Sequence, residues 1–288
     1  MKRFVDWVLA RRYRLILLAM AFTPLLPAAA AGLIGVETAR RGPVQGVISS
    51  LAAIGGMLLL AFLTGANPSV AATLGLITFA SGVVAGALLK HAGNLGLAFQ
   101  GTVLLSFVLV AVLSLFGPDP GALFEPVIAE LVEVLRASGA SPEQIVVVEG
   151  WGGILLAAAV FSQLMGPLLL AYWWLGIASN RKRFGVEFRA LKLGRFLGVL
   201  ATTVVVLGLV FDAPLVQNLT ALSLMGFVFQ GLAVLHAWAH AKRWHPGVLA
   251  PVYVLLITPL VVLVILGLTV VGLVDNWFDL RASLRAQA

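Results

Sequence analysis

Three histidines stand close together in the last third of the chain. His236 and His240 are four residues apart, which puts both imidazoles on one face of a helix, and His245 follows across a turn that begins at Pro246. Two imidazoles at that spacing can share a metal ion with a third ligand. Lys242 and Arg243 lie between them, and their charge opposes a cation. The competing reading is a set of histidines at the lipid headgroups, and His91 beside Lys90 reads the same way. The other deep polar groups are amides: Gln100, Gln163 and Gln230, with Asn94 shallower. An amide inside a membrane either bonds a neighbouring helix or makes the polar contact of a neutral ligand. A third set comprises Asp212, Gln217, Asn218, Asp275 and Asn276. Asp212 and Asp275 can meet a cationic group or merely terminate helices. The candidate ligand-binding residues are therefore Gln163, Gln230, Asp212, Asn218, Asp275 and Asn276.

Enzymatic parts are not visible. The chain has no cysteine, which excludes disulfides, zinc–thiolate sites, iron–sulfur clusters and cysteine nucleophiles. No GxSxG, HExxH or P-loop pattern occurs. The apolar segments hold no pair of carboxylates to relay protons. The expectation is a protein without catalytic residues or cofactor, with His236 and His240 as its only candidate metal ligands.

The elements that must hold these groups are membrane helices. Of 288 residues, 61% are hydrophobic and 11% charged, against roughly 45–50% and about 25% in soluble domains. That balance excludes a soluble enzyme or a nucleic-acid module and makes the lipid bilayer the first partner. A net charge of +7 then serves topology rather than polyanion binding. Seven segments are long enough to span: Val44–Leu63, Val70–Leu89, Leu95–Phe116, Trp151–Ala178, Phe196–Phe211, Val216–Ala241 and Val248–Val274. The fifth is short and is expected to extend back into the preceding basic stretch.

Leu15–Val36 is apolar but is interrupted by Pro24 and Pro27. It reads as one span, a re-entrant hairpin or a cleaved signal peptide. Charge decides, because Lys and Arg accumulate in cytoplasmic loops. With 15–36 entering and leaving on one side, sixteen of the nineteen bases fall in the cytoplasm and three outside. A full span gives at best eleven against eight. The hairpin reading predicts that residues 15–36 pack inside the bundle, behind a cytoplasmic amphipathic segment 1–14. It places the N-terminus in the cytoplasm and the C-terminus outside.

Residues 118–149 form the one sizeable outer loop and hold six of the twelve acids. Leu123, Val127, Leu131 and Leu135 repeat at helical spacing, the pattern of an amphipathic surface helix. Gly139 ends it, and Ser141-Pro142-Glu143-Gln144 is a capping box that starts a helix continuing into the Trp151 segment. The acids are a solvated face or a lid over a cavity. On the other side, residues 179–195 form a basic turn. Arg181, Lys182, Arg183, Glu187 and Arg189 are its candidates for headgroup or partner contact, with Glu187 expected to pair among the bases.

Three stretches carry a resemblance. Trp173-Trp174 followed by Phe184-Gly185-Val186-Glu187-Phe188-Arg189-Ala190-Leu191, then Phe229-Gln230-Gly231-Leu232-Ala233-Val234, then Leu273-Val274-Asp275-Asn276-Trp277-Phe278-Asp279-Leu280-Arg281 resemble the YybS-like family of uncharacterised bacterial multi-pass membrane proteins. That family is similar at fold level to the substrate-binding S components of energy-coupling-factor transporters and to the cell-shape protein MreD. The resemblance implies an all-α polytopic bundle, a single domain over 1–288 in a bacterial inner membrane, with a ligand cavity opening outward. It points to a small-molecule-binding or transport-related subunit. The alternative is a non-catalytic scaffold that recruits membrane proteins through the basic turn.

Overall fold

The computed structural model describes residues 2–117, 119–180, 183–258 and 260–282. The protein is all-α, a polytopic membrane helix bundle without strands among the described residues. In chain order, α1 is Lys2–Ala10, α2 Arg12–Phe22, α3 Pro27–Arg41, α4 Pro43–Thr64 and α5 Pro68–Ala92. Then come α6 Leu95–Phe116, α7 Pro120–Ala137, α8 Pro142–Glu149, α9 Gly152–Ala178 and α10 Phe184–Arg189. The chain closes with α11 Gly194–Gly208, α12 Pro214–Ala241, α13 Ala250–Leu255 and α14 Val261–Phe278. Proline opens α3, α4, α5, α8 and α12, where its missing N–H has no helical partner to lose.

Six helices, α4, α5, α6, α9, α12 and α14, are long and apolar enough to cross a membrane. Seven were expected; among the described residues one expected span falls short of that length and another is shortened by a break. The helix expected over Phe196–Phe211 is Gly194–Gly208, fifteen residues, a rise of about 22 Å against a hydrocarbon core of about 30 Å. It reaches back only two residues into the basic stretch, to Gly194, and ends three residues early, at Gly208. The segment expected over Val248–Val274 is broken into a 3-10 turn at Pro246–Val248, α13 and α14. Thr258 precedes a proline in the sequence, which disfavours helical backbone there. Its hydroxyl instead bonds the Leu255 carbonyl and accepts from the Leu260 N–H.

The chain forms two compact units: residues 1–102 with 162–190, and residues 103–161 with 191–288. In the first unit, α2 and α3 form a helical hairpin whose open ends meet. Arg12 reaches Glu37 at 3.6 Å and donates to Ser49 Oγ at 2.9 Å, and Arg41 approaches the same carboxylate at 3.3 Å. Residues 30–38 of α3 are buried without a break, as expected of the hairpin. The rest is a correction: Leu17, Leu25 and Leu26 lie exposed, because α2 packs only its Leu15–Ala19 face inward. Gly82 and Gly86 let α5 approach α3 closely. A Cβ at either would strike the carbonyl oxygen of Ala31 or Gly35, so the small-residue face serves internal packing. Toward α4 the same helix is close at Gly75, which faces Ile54 and Met57. Bases gather at one end of this unit, where Arg12 and Arg41 meet Glu37, and where Lys90 and Arg183 line one small cavity.

In the second unit α12 and α14 run antiparallel at close range, Gly231 against the Leu268 carbonyl and Gly272 against that of Phe227. Helices α7 and α8 pair through Ile128, Val132 and Val148. The expected stripe holds at Leu131 and Leu135, which face inward with Phe124, Ile128 and Val132, but Leu123 and Val127 are exposed. The capping box forms in both directions, Ser141 accepting from the Gln144 N–H and Gln144 from the Ser141 N–H. The Ser141 hydroxyl also holds the Glu143 carboxyl below its ordinary pKa. Helix α8 stops at Glu149, and α9 begins anew at Gly152 rather than continuing it.

Candidate ligand-binding cavity

Six helix ends of the second unit converge on a cavity of about 760 Å³. Ser114 and Gly117 come from the end of α6, Asp119 from the entry to α7, Glu149 from the end of α8, and Trp151 and Gly153 from the start of α9. Asp212 follows α11, and Gln217 and Asn218 occupy the first turn of α12. Each polar side chain is set by local chemistry. Asp119 accepts from the Ala122 N–H and caps α7. Gln217 Nε2 donates to the carbonyls of Gly208 and Phe211 at 3.0 and 3.1 Å, engaging acceptors that the end of α11 leaves open. Asn218 is 4% exposed and donates from Nδ2 to Ser114 Oγ at 2.9 Å. Its amide lies in the space over Gly153, where any Cβ would overlap its oxygen.

Of the expected ligand-binding residues, Asp212 and Asn218 share this cavity. Asp275 and Asn276 do not join them, which corrects the expected cluster. Asp275 is fully buried, and its carboxylate accepts from Arg281 Nε and Nη2 at 3.1 and 2.7 Å and from Gln230 Nε2 at 2.7 Å. Gln230 Oε1 accepts from the Leu193 N–H at 2.9 Å, and Arg281 also donates to the Leu191 carbonyl at 2.9 Å. Lys192 pairs with Asp279 alongside at 2.6 Å. Asn276 packs on Gly198. The three stretches that carry the resemblance thus send Leu191, Gln230, Asp275 and Arg281 into one buried network. Gln163 donates to Ser81 Oγ at 3.1 Å and joins two helices of the first unit.

The histidines are apart in role. His236 Nδ1 donates to the Leu232 carbonyl at 2.9 Å, which leaves Nε2 as the acceptor of the Tyr253 hydroxyl at 3.0 Å. Among the described residues no three His, Asp or Glu side chains are grouped to hold a metal ion.

In the basic turn, Arg181 and Lys182 lie outside the described residues. Arg183 and Lys90 share a cavity of about 210 Å³ with Tyr172 and Ser179. Glu187 was expected to pair among the bases. It accepts from the Leu95 N–H at 2.6 Å, capping α6 where a negative charge favours the helix dipole. Arg189 is half-buried, and that burial lowers its pKa.

The lid reading of residues 118–149 already set that segment over a cavity, but sequence reasoning did not single out Asp119, Glu149 and Trp151 as lining it. The signal was present: Asp119 and Glu149 bracket the acidic segment, and its ends must return to neighbouring helices. No protein-family model, curated protein or solved structure matches the chain.

Proposed function

We propose that this multi-pass membrane protein is a small-molecule-binding subunit of a transport-related kind, and that its ligand occupies the cavity at the start of α12. One observation carries the reading. About 760 Å³ falls in the range of roughly 300–1,000 Å³ typical of ligand sites, and a nearly buried amide, Asn218, forms part of its wall. The resemblance to the YybS-like family and to S components supports the same reading. We infer binding rather than catalysis, since the cavity's one hydroxyl, Ser114, is hydrogen-bonded to Asn218 rather than to a base.

The test is a ligand screen on the full-length protein in detergent, read by thermal shift and native mass spectrometry. A true ligand raises the melting temperature, and Asn218→Leu, which fills the cavity, removes the shift. A shift that survives Asn218→Leu, or a broad screen without any shift, overturns the reading.

The gathering of Arg12, Arg41, Lys90 and Arg183 at one end of the first unit favours a cytoplasmic position for that end, in a bacterial inner membrane. The same charged end is what a scaffold would use to recruit membrane proteins, and this is the second reading. A reporter fused at Met1 is expected to read cytoplasmic.

A further inference from the structure

We propose that the basic end of the first unit seats the phosphate of an anionic phospholipid, held between Lys90 and Arg183. The site belongs wholly to the first unit and does not depend on the ligand reading above. It is the cavity of about 210 Å³. Three helix ends wall it: Ala39 from α3, Leu89 and Lys90 from α5, and Leu175 from α9, with Ser179 and Arg183 beyond. Its depth suits a headgroup. Helices α5 and α9 have 25 and 27 residues, a rise of about 37 and 40 Å, against a hydrocarbon core of about 30 Å. Their ends therefore reach the headgroup layer, where Trp173 and Trp174 of α9 are the aromatic residues expected.

Charge supplies the second observation. Lys90 and Arg183 are the charged residues of this wall, and no acid lines it. Both are exposed, and neither side chain makes a hydrogen bond or ion pair with another described residue. Lys90 Nζ stands beside Gly42, where a side chain would meet it. The nearby acids are committed elsewhere. Glu37 lies between Arg12 and Arg41, and Glu187 caps α6 through the Leu95 N–H. Helix dipoles do not offset the bases. This end gathers the C-termini of α3, α5 and α9 but also the N-termini of α4 and α6, so half-charges of opposite sign nearly cancel.

The hydrogen bonds leave the same two groups. The hydroxyls of Tyr172 and Ser179 serve Glu187 and the Leu175 carbonyl, and the Leu89 carbonyl accepts from the Gly93 N–H. The donors that remain are an ammonium and a guanidinium, the pair that meets phosphate oxygens as a point charge and a fork. The space is below the roughly 300–1,000 Å³ of ordinary organic-ligand sites but admits a phosphate. Leu89 and Leu175 give it an apolar wall for a lipid's glycerol, which a free phosphate does not use. A basic pocket between membrane helices is a known form of headgroup site.

Native mass spectrometry of the full-length protein in detergent tests this. The probes are dimyristoyl phosphatidylglycerol, dimyristoyl phosphatidylcholine with the same chains, and glycerol 3-phosphate. Phosphatidylglycerol is expected to bind as a single tight copy, more weakly as ionic strength is raised. The double variant Lys90→Gln with Arg183→Gln is expected to weaken it roughly tenfold or more. Arg3→Gln with Arg11→Gln removes as much charge from exposed positions outside the cavity and is expected to leave the affinity unchanged. Both double variants are expected to melt with the parent in lipid-free detergent. Equal weakening by both would assign the binding to surface charge at large and overturn the site. Phosphatidylcholine bound as tightly as phosphatidylglycerol overturns it whatever the variants do. Glycerol 3-phosphate bound as tightly makes the occupant a soluble phosphate and overturns the lipid assignment, as does a titration in which no probe binds.

Discussion

The second unit treats carboxylates in two opposite ways. Asp275 is fully enclosed, and both its oxygens receive hydrogen bonds from Arg281 and Gln230. Glu149 and Asp212 stand exposed at a cavity and receive none from the described residues. The chemistry of the side chains is the same; what differs is whether the fold or something outside it satisfies them. A carboxylate completed by its own protein has nothing left to offer a ligand and belongs to stability. One left open has made no contribution to the fold that its loss could remove.

The comparison breaks most sharply at Asp275. Asp275→Ala leaves Arg281 buried without its counter-ion, a change of the order of 3–5 kcal/mol, and is expected to cost the protein its monodisperse peak and cooperative melt in detergent. Arg281→Met in the same chain is expected to return part of that loss, since removing both charges is far less costly than removing one. A double variant no better than Asp275→Ala would mean that the acid acts alone.

Glu37 tests an intermediate case. It is 4% exposed, but its partners Arg12 and Arg41 keep contact with solvent. Glu37→Gln is therefore expected to destabilise by roughly 1–2 kcal/mol, visible as a lower melting temperature in an otherwise intact peak. At the far end, Glu149→Gln and Asp212→Asn are each expected to alter stability by less than about 0.5 kcal/mol. A drop comparable to that of Glu37→Gln would place these acids with the structural ones and end the contrast.

Much of this fold was legible from short motifs and from sums over the whole chain. Composition gives the membrane class, proline and the capping box give helix starts, and charge asymmetry gives the α2–α3 hairpin. The break after Leu255 was overlooked because a single Thr-Pro step is hidden in a long apolar run. The Asp275–Arg281 pair was illegible for a different reason. Six residues is not a helical contact spacing; the two meet because the chain reverses at Asp279, which takes a left-handed conformation (φ 48°) that aspartate tolerates better than most residues. The cavity was half legible. Asp212 and Asn218 could be grouped by sequence proximity, but Glu149 reaches them only through the turn that separates α8 from α9, and no periodicity encodes that turn.

The reversal at Asp279 also bears on how the protein is made. A lone aspartate in a helix entering the bilayer carries an insertion cost of up to about 2.5–3.5 kcal/mol. A partner from a distant helix would leave that cost standing while the intervening chain was synthesised. Here the arginine follows within six residues, and at about 5–20 residues per second it joins the nascent chain in roughly a second or less. Helix α14 can thus be handed to the membrane with its acid already neutralised, without waiting for Gln230 to find it.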